Sequence, residues 1–285
     1  MSPYHSPLRY PGGKTKLTAY VKALLKHNGL QGGHYVEPYA GGASIAIDLA
    51  IHDHVEHVHI NDLDRSVWAF WDSVLENSDR LCALIENTPV TIDVWHAQRE
   101  VQKLKLSADT LALGFSTFFL NRTNRSGILT AGVIGGKNQT GNFKLDARFA
   151  KDDLLRRIKT IADHRHRFTL HNLDAVQLLE SIVPNLPENT LVYLDPPYYV
   201  KGGDLYEHHY SHDDHVNVAQ AAGRINQHCM ISYDDVPEIR NLYREYQLVN
   251  YSLSYCAQNR YRGSEAIFLG ASLECPGLKA SMQAM

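Results

Sequence analysis

Cysteine is sparse and dispersed in this chain: Cys82, Cys229, Cys256 and Cys275 are its only four, and no two share a metal-ligand or redox spacing. That excludes a disulfide framework and leaves reduced thiols, as expected of a cytosolic protein. No apolar run approaches a membrane span, and the start, Met1-Ser2-Pro3-Tyr4-His5, has no signal-peptide anatomy. Internal repeats and low-complexity tracts are missing too. Nor is there an overall excess of positive charge: 28 Lys and Arg face 31 Asp and Glu, a net −3, which reads at first against a nucleic-acid binder.

What is present changes that reading. From Arg99 to Arg167 there are 14 basic and 6 acidic residues, which leaves 14 basic and 25 acidic elsewhere. A basic middle in an acidic body fits a phosphate-contacting module grafted on an enzyme core; a solvated helical face is the plainer alternative. At 285 residues the chain can hold one large domain or a core with an insertion.

Short strand-like runs recur at His34–Glu37, His57–Ile60, Phe168–His171, Leu191–Leu194, His228–Ser232, Gln247–Val249 and Glu265–Leu269. Helical patterns at Lys16–Lys26 and Ser44–Ile51 flank the first of them, which predicts an α/β fold with a mostly parallel sheet. The alternation breaks between about residues 70 and 165. There, Trp95–Leu106 and Asp109–Leu120 read as helices and Asn121–Phe143 as turns or a hairpin. The expected organisation is a core of residues 1–69 and 166–272, an inserted lobe at 70–165 and a loose tail at 273–285.

Four constellations carry chemistry. Asp195-Pro196-Pro197-Tyr198 leaves the carboxyl end of a buried strand, where open α/β sheets bind ligands. An acid, two rigid prolines and an aromatic suit a flat heterocycle bearing an amino group. Glu37-Pro38-Tyr39-Ala40-Gly41-Gly42-Ala43-Ser44 ends a strand in an acid and opens a helix through a glycine turn, but lacks the full dinucleotide fingerprint. Asp62 ends the next strand and is placed for a ribose diol, although Asp62 or Asp64 could equally be a helix cap. Arg9-Tyr10-Pro11-Gly12-Gly13-Lys14-Thr15 invites a P-loop reading, which fails because Leu8 stands where that motif needs glycine. The histidines are weaker signals. His208, His209, His212 and His215 with Asp204, Asp213 and Asp214 read as a polar loop rather than a metal site, and His52, His54, His57 and His59 as surface residues. No metal is expected.

In this order, with Asn121-Arg122-Thr123-Asn124-Arg125-Ser126-Gly127 in the basic insertion, the segments resemble the Dam-like adenine-specific DNA methyltransferases. The similarity runs from about Ser6 to Leu269. It implies a Rossmann-like methyltransferase sheet with a small, mainly helical target-recognition domain inserted, S-adenosylmethionine as cofactor and double-stranded DNA as partner. By resemblance, Tyr10, Lys14, Glu37, Pro38, Tyr39, Gly41, Asp62, Asp174 and Asp195 bind the cofactor. Asp195, Pro196, Pro197 and Tyr198 are catalytic. Arg122, Asn124, Arg125, Ser126, Lys137 and Lys144 contact DNA. Tyr10, Tyr39 and Ala43 stand where the family commonly has Trp, Phe and Gly, replacements that keep the shape of the group. The resemblance leaves open the recognition sequence and a cognate restriction endonuclease as partner. Monomeric action suits methylation of one strand at a time.

Overall fold

The computed structural model describes residues 5–9, 14, 17–200, 210–252 and 264–276. Seven strands, β1 (His34–Glu37), β2 (His57–Asn61), β3 (Phe168–His171), β4 (Leu191–Leu194), β5 (His228–Asp234), β6 (Gln247–Ser252) and β7 (Ser264–Leu269), form one sheet ordered β3-β2-β1-β4-β5-β7-β6. Each begins within one residue of a run marked as a strand by the sequence. The fold is α/β, as the pattern predicts. β1 pairs in parallel with β2 and β4, and β4 with β5. β7 lies antiparallel to both β5 and β6, an arrangement that no local pattern announces.

Interior strands are covered on both faces, so they read as continuous apolar runs rather than alternating ones. All four positions of β4 are buried, as are five of seven in β5. The strand order reverses between β1 and β4, and the carboxyl ends beside such a switch point are where α/β sheets take ligands. Here those ends are Glu37-Pro38 and Asp195-Pro196.

The helices are α1 (Thr18–His27), α2 (Ser44–Ile51), α3 (Arg65–Glu76), α4 (Ser78–Asn87), α5 (Ile92–Lys103), α6 (Thr110–Thr123), α7 (Lys151–Asp163), α8 (Ala175–Ser181), α9 (His212–Ala222) and α10 (Pro237–Leu242). The chain divides into two compact units. One comprises Met1–Thr15, Ala40–His52 and Asp62–Asn172; the other comprises Lys16–Tyr39, Asp53–Asn61 and Leu173–Met285.

In the first unit α6 is the central element, buried from Leu113 to Thr123. A Cβ at Gly114 would lie 2.5 Å from the Ala69 carbonyl oxygen, so glycine is what lets α3 and α6 touch. Phe70 stacks on Phe118 beside that crossing. Caps fix where these helices start: Asp64 accepts from the Ser66 N–H, Thr91 from Val94 and Asp109 from Ala112. In the second unit Val36, Val192, Leu194, Ile231 and Phe268 pack with Leu178, Val218 and Ile239 into one core.

Two boundaries differ from expectation. Asn121, Arg122 and Thr123, expected in a turn segment, form the last turn of α6. A hairpin-like loop follows, closed by an Asn124–Val133 bridge and an Ile134 N–H to Thr123 O bond of 2.9 Å. The tail expected to be loose from residue 273 begins held: Leu273 is buried, and Asn28 exchanges bonds of 2.8 and 2.9 Å with the Glu274 backbone. Residues 277–285 lie outside the described residues. Among the described residues no helix is long and apolar enough to cross a membrane.

Candidate active site

The second unit holds the aspartate-proline motif. Asp195 directly follows β4, and the register that pairs Leu194 with Ile231 sets Ser232 of β5 beside it. The Ser232 hydroxyl donates to Asp195 Oδ1 at 2.7 Å. Its single hydrogen is thereby committed, so the Tyr193 hydroxyl, 2.8 Å from Ser232 Oγ, must be the donor to it. Burial first, then the neighbouring Asp195 carboxylate, hold the Tyr193 phenol well above its usual range, so it keeps the proton it donates. Tyr193 and Ser232 are both buried. The relay Tyr193 to Ser232 to Asp195 thus fixes the carboxylate's orientation from beneath.

The rest of the motif is pinned as well. The Tyr198 hydroxyl donates to Glu265 of β7, whose residue is buried. Asp234, at the end of β5, accepts the Tyr199 N–H at 2.9 Å and the Val200 N–H at 3.0 Å. Pro196 is buried, while Asp195, Pro197 and Tyr198 keep partial exposure. At the β1 end, Tyr35 donates to Glu37 Oε1 at 3.1 Å, and the Tyr39 and Tyr210 hydroxyls lie 3.2 Å apart. Asn61 ties this edge together: its amide donates to Pro38 O and Leu173 O, and its oxygen accepts the Leu173 N–H. A cavity of about 320 Å3 in this unit is lined by Asp174, Val176, Tyr210, Asp214 and neighbouring residues. Asp174 also caps α8 through the Val176 N–H at 2.9 Å. His215 is buried against the Tyr233 hydroxyl and His212 lies beside Tyr199, which gives both histidines packing partners. His208, His209 and Asp204 lie outside the described residues.

The first unit holds the glycine turn and the second acid. Gly41 donates its N–H to Asp62 Oδ2 at 2.9 Å, and its carbonyl accepts from the Trp71 indole. The Asp64 N–H donates to Asp62 Oδ1. The sequence left both acids open as caps; Asp64 is the cap of α3, and Asp62 faces the glycine turn. Burial, then the nearby Asp64 carboxylate, push Asp62 up to about 7. Lys14 is buried; Tyr10 lies outside the described residues.

The Asn121–Gly127 segment has a different occupation from the one expected. Asn121 accepts the Arg9 N–H and donates to the Arg9 and Gly127 carbonyls. Arg122 is buried and donates from Nε and Nη2 to the Pro7 carbonyl. Asn124, wholly buried, accepts from the Trp95 indole at 2.7 Å and donates to the Ile128 and Leu129 carbonyls. A Cβ on Gly127 would come within 2.4 Å of Arg9 O, so this turn closes against the amino-terminal segment. Arg122 and Asn124 are therefore corrected from DNA contacts to internal scaffolding: both are buried, and their donors are spent on backbone carbonyls of segments outside any helix or strand. Arg125 and Ser126 are exposed, and Ser126 adopts φ +57°, a conformation uncommon for a residue with a side chain. Lys137 is exposed, and Lys144 donates to the Gln139 and Gly141 carbonyls.

Ser232, Tyr193, Asp234 and Glu265 were not singled out by sequence. Tyr193 and Ser232 lie within apolar strand runs and Asp234 and Glu265 at strand ends, so none carries a spacing signal, and only inter-strand register brings them to the motif.

A family model described as D12 class N6 adenine-specific DNA methyltransferase matches residues 10–255. No curated protein matches the chain. Among solved structures, the rRNA methyltransferase aviRa from Streptomyces viridochromogenes aligns over 95% of this chain and 89% of its own, at 13% identity and TM-score 0.40. Protein LPL1258 from Legionella pneumophila str. Philadelphia 1 aligns over 91% and 86%, at 11% identity and TM-score 0.32.

Proposed function

The chain belongs to the D12 class N6 adenine-specific DNA methyltransferase family, and from that premise we propose how its residues methylate adenine in DNA. The substrate is an adenine flipped from double-stranded DNA, and the methyl donor is S-adenosylmethionine. The single observation that carries this reading is an Asp195 carboxylate held by Ser232 at the carboxyl end of β4, beside the switch point.

Adenine's exocyclic amine is a poor nucleophile because its lone pair is delocalised into the ring. Asp195 and the Pro196 carbonyl accept its two hydrogens, which localises the lone pair and aims it at the methyl carbon. Proline's fixed φ sets the direction of the chain at that carbonyl. Tyr198, held through its hydroxyl by Glu265, supplies the aromatic wall against the base. Flipping costs a few kcal/mol, which contacts to the DNA backbone offset.

The donor set fits a sulfonium nucleoside. Asp62 has one hydrogen bond on each oxygen and lone pairs left for a ribose diol. Glu37, Pro38, Tyr39, Gly41, Lys14, Tyr10 and Asp174 are the further residues that would hold the cofactor, which supplies an electrophilic methyl group carrying its own leaving group. For DNA, we assign contacts to Arg125, Ser126, Lys137 and Lys144 on the loop after α6. The lobe at 70–165 is the target-recognition domain in this reading, and the enzyme acts as a monomer.

The elevated Asp62 gives a pH signature. A ribose diol needs the ionised carboxylate, so below pH 7 binding must expel a proton, and cofactor affinity should fall about tenfold per pH unit. Above 7 the dependence disappears. Calorimetric titration of the cofactor should show this slope in the native protein and its loss in Asp62→Asn. Matching profiles in the two would remove Asp62 from the site.

The function itself is tested by incubating the protein with tritiated S-adenosylmethionine and unmethylated duplex DNA, then mapping modified bases. N6-methyladenine at one short sequence is the expected product. Label on cytosine, or on RNA in preference to DNA, would overturn the assignment.

A further inference from the structure

Three side chains of the first unit meet in a cluster that the methylation chemistry does not use. Asp48 and His52 stand at i and i+4 at the end of α2, and His5 comes from the amino-terminal segment. His5 Nε2 is 3.9 Å from Asp48 Oδ2, and His52 Nδ1 is 3.5 Å from Asp48 Oδ1. The two imidazole rings are 5.2 Å apart and meet edge-on. One ligand atom from each residue lies within 4.8 Å of the others.

The two histidine-to-carboxylate distances are too long for N–H···O hydrogen bonds, which fall at roughly 2.7–3.2 Å. One donor atom of each residue nevertheless lies within 4.8 Å of the others, so the three groups can converge on an ion. Donors each about 2.0–2.2 Å from a common tetrahedral zinc lie roughly 3.3–3.6 Å apart, so binding would draw the three side chains inward. Two imidazoles and a carboxylate are also a zinc donor set, with room for a solvent ligand on the exposed His52 side. His52 Nδ1 lies 3.0 Å from the Asp48 backbone oxygen. Donation there would leave Nε2 for the ion, the usual outer bond of a ligating histidine.

We propose that His5, Asp48 and His52 form a site for a divalent transition metal of the zinc class, which clips the amino-terminal segment to α2. That segment leads, five residues after His5, into the Tyr10–Lys14 motif. The role is structural, and its test does not depend on methyl transfer.

Full-length protein stripped with a chelator would be titrated with zinc chloride against a chromophoric competitor. The native chain should bind one equivalent that His5→Ala/His52→Ala lacks. Its melting midpoint should rise by about 5 °C at roughly a hundredfold excess over Kd, with no rise in the variant. Equal binding and equal shifts in the two proteins would mean adventitious binding to other histidines and would overturn the site. Cobalt(II) gives a second reading on the unaltered chain: one equivalent should produce a visible band of low-symmetry, four-coordinate type. Absence of that band at saturating cobalt would also overturn it.

Discussion

Asp195→Ala should lower kcat for adenine methylation by roughly a thousandfold or more, the scale on which losing a preorganised transition-state group is felt. The fold should survive, because Asp195 is partly exposed and follows β4 rather than filling the core. Asp195→Asn keeps the shape but presents a donor where the adenine amine needs an acceptor, so it too should be severely impaired. Ser232→Ala falls between. It leaves the carboxylate in place but unanchored, and strands the buried Tyr193 hydroxyl without its acceptor, which costs about 1–3 kcal/mol of stability. A drop in kcat of roughly tenfold to a hundredfold with an unchanged KM for the cofactor is expected, and Ser232→Thr should restore most of it. Transfer of tritiated methyl groups to duplex DNA measures all of these. Comparable turnover in Asp195→Ala would remove the aspartate from the chemistry. Unchanged turnover in Ser232→Ala would leave the relay as mere packing.

The frame of this arrangement is legible in the sequence because its physics is local. A parallel strand buried on both faces must be a short apolar run, so Leu191–Leu194 declares itself, and the acid after it marks a functional edge. Glu37 and the turn at Gly41 are legible in the same way, as a strand end running into a helix start. What escapes notice is what register decides. Ser232 lies in an apolar run and Glu265 near the start of another, and neither differs locally from an ordinary strand residue. They matter because β5 lies beside β4 and β7 beside β5, pairings between segments far apart in the chain. The place of β7 between β5 and β6 is equally nonlocal. His5, Asp48 and His52 escape for the same reason, since one partner comes from a segment with no periodic pattern.

Arg122 is the instructive misreading, and it yields the second large effect. An arginine in a basic stretch that resembles the family's recognition segment reads as a surface group contacting DNA. The amino-terminal segment supplies the reason it is buried: Ser6, Pro7 and Arg9 belong to no helix or strand, so their carbonyls need side-chain donors. Arg157 serves Ser6, Arg122 serves Pro7 and Asn121 serves Arg9. Burial, reinforced by Arg157, Arg9 and Arg148, lowers Arg122 to about 9, so it still carries its charge at neutral pH among like charges. Arg122→Ala relieves that repulsion but leaves the Pro7 carbonyl without its donor and opens a void beside α6. The net loss should be about 2–3 kcal/mol, or a fall in Tm of roughly 4–6 °C. Arg125→Ala should behave oppositely. Its side chain is exposed, so stability should hold within about 0.5 kcal/mol and Tm should barely move. DNA affinity should instead weaken by about 1–3 kcal/mol, with relaxed choice at one base pair if the contact is to a base edge. If the contact is to phosphate, the salt slope should lessen by about one. Thermal melts and DNA binding at two salt concentrations separate the two residues. A normal Tm with weakened DNA binding in Arg122→Ala would return that arginine to the DNA interface.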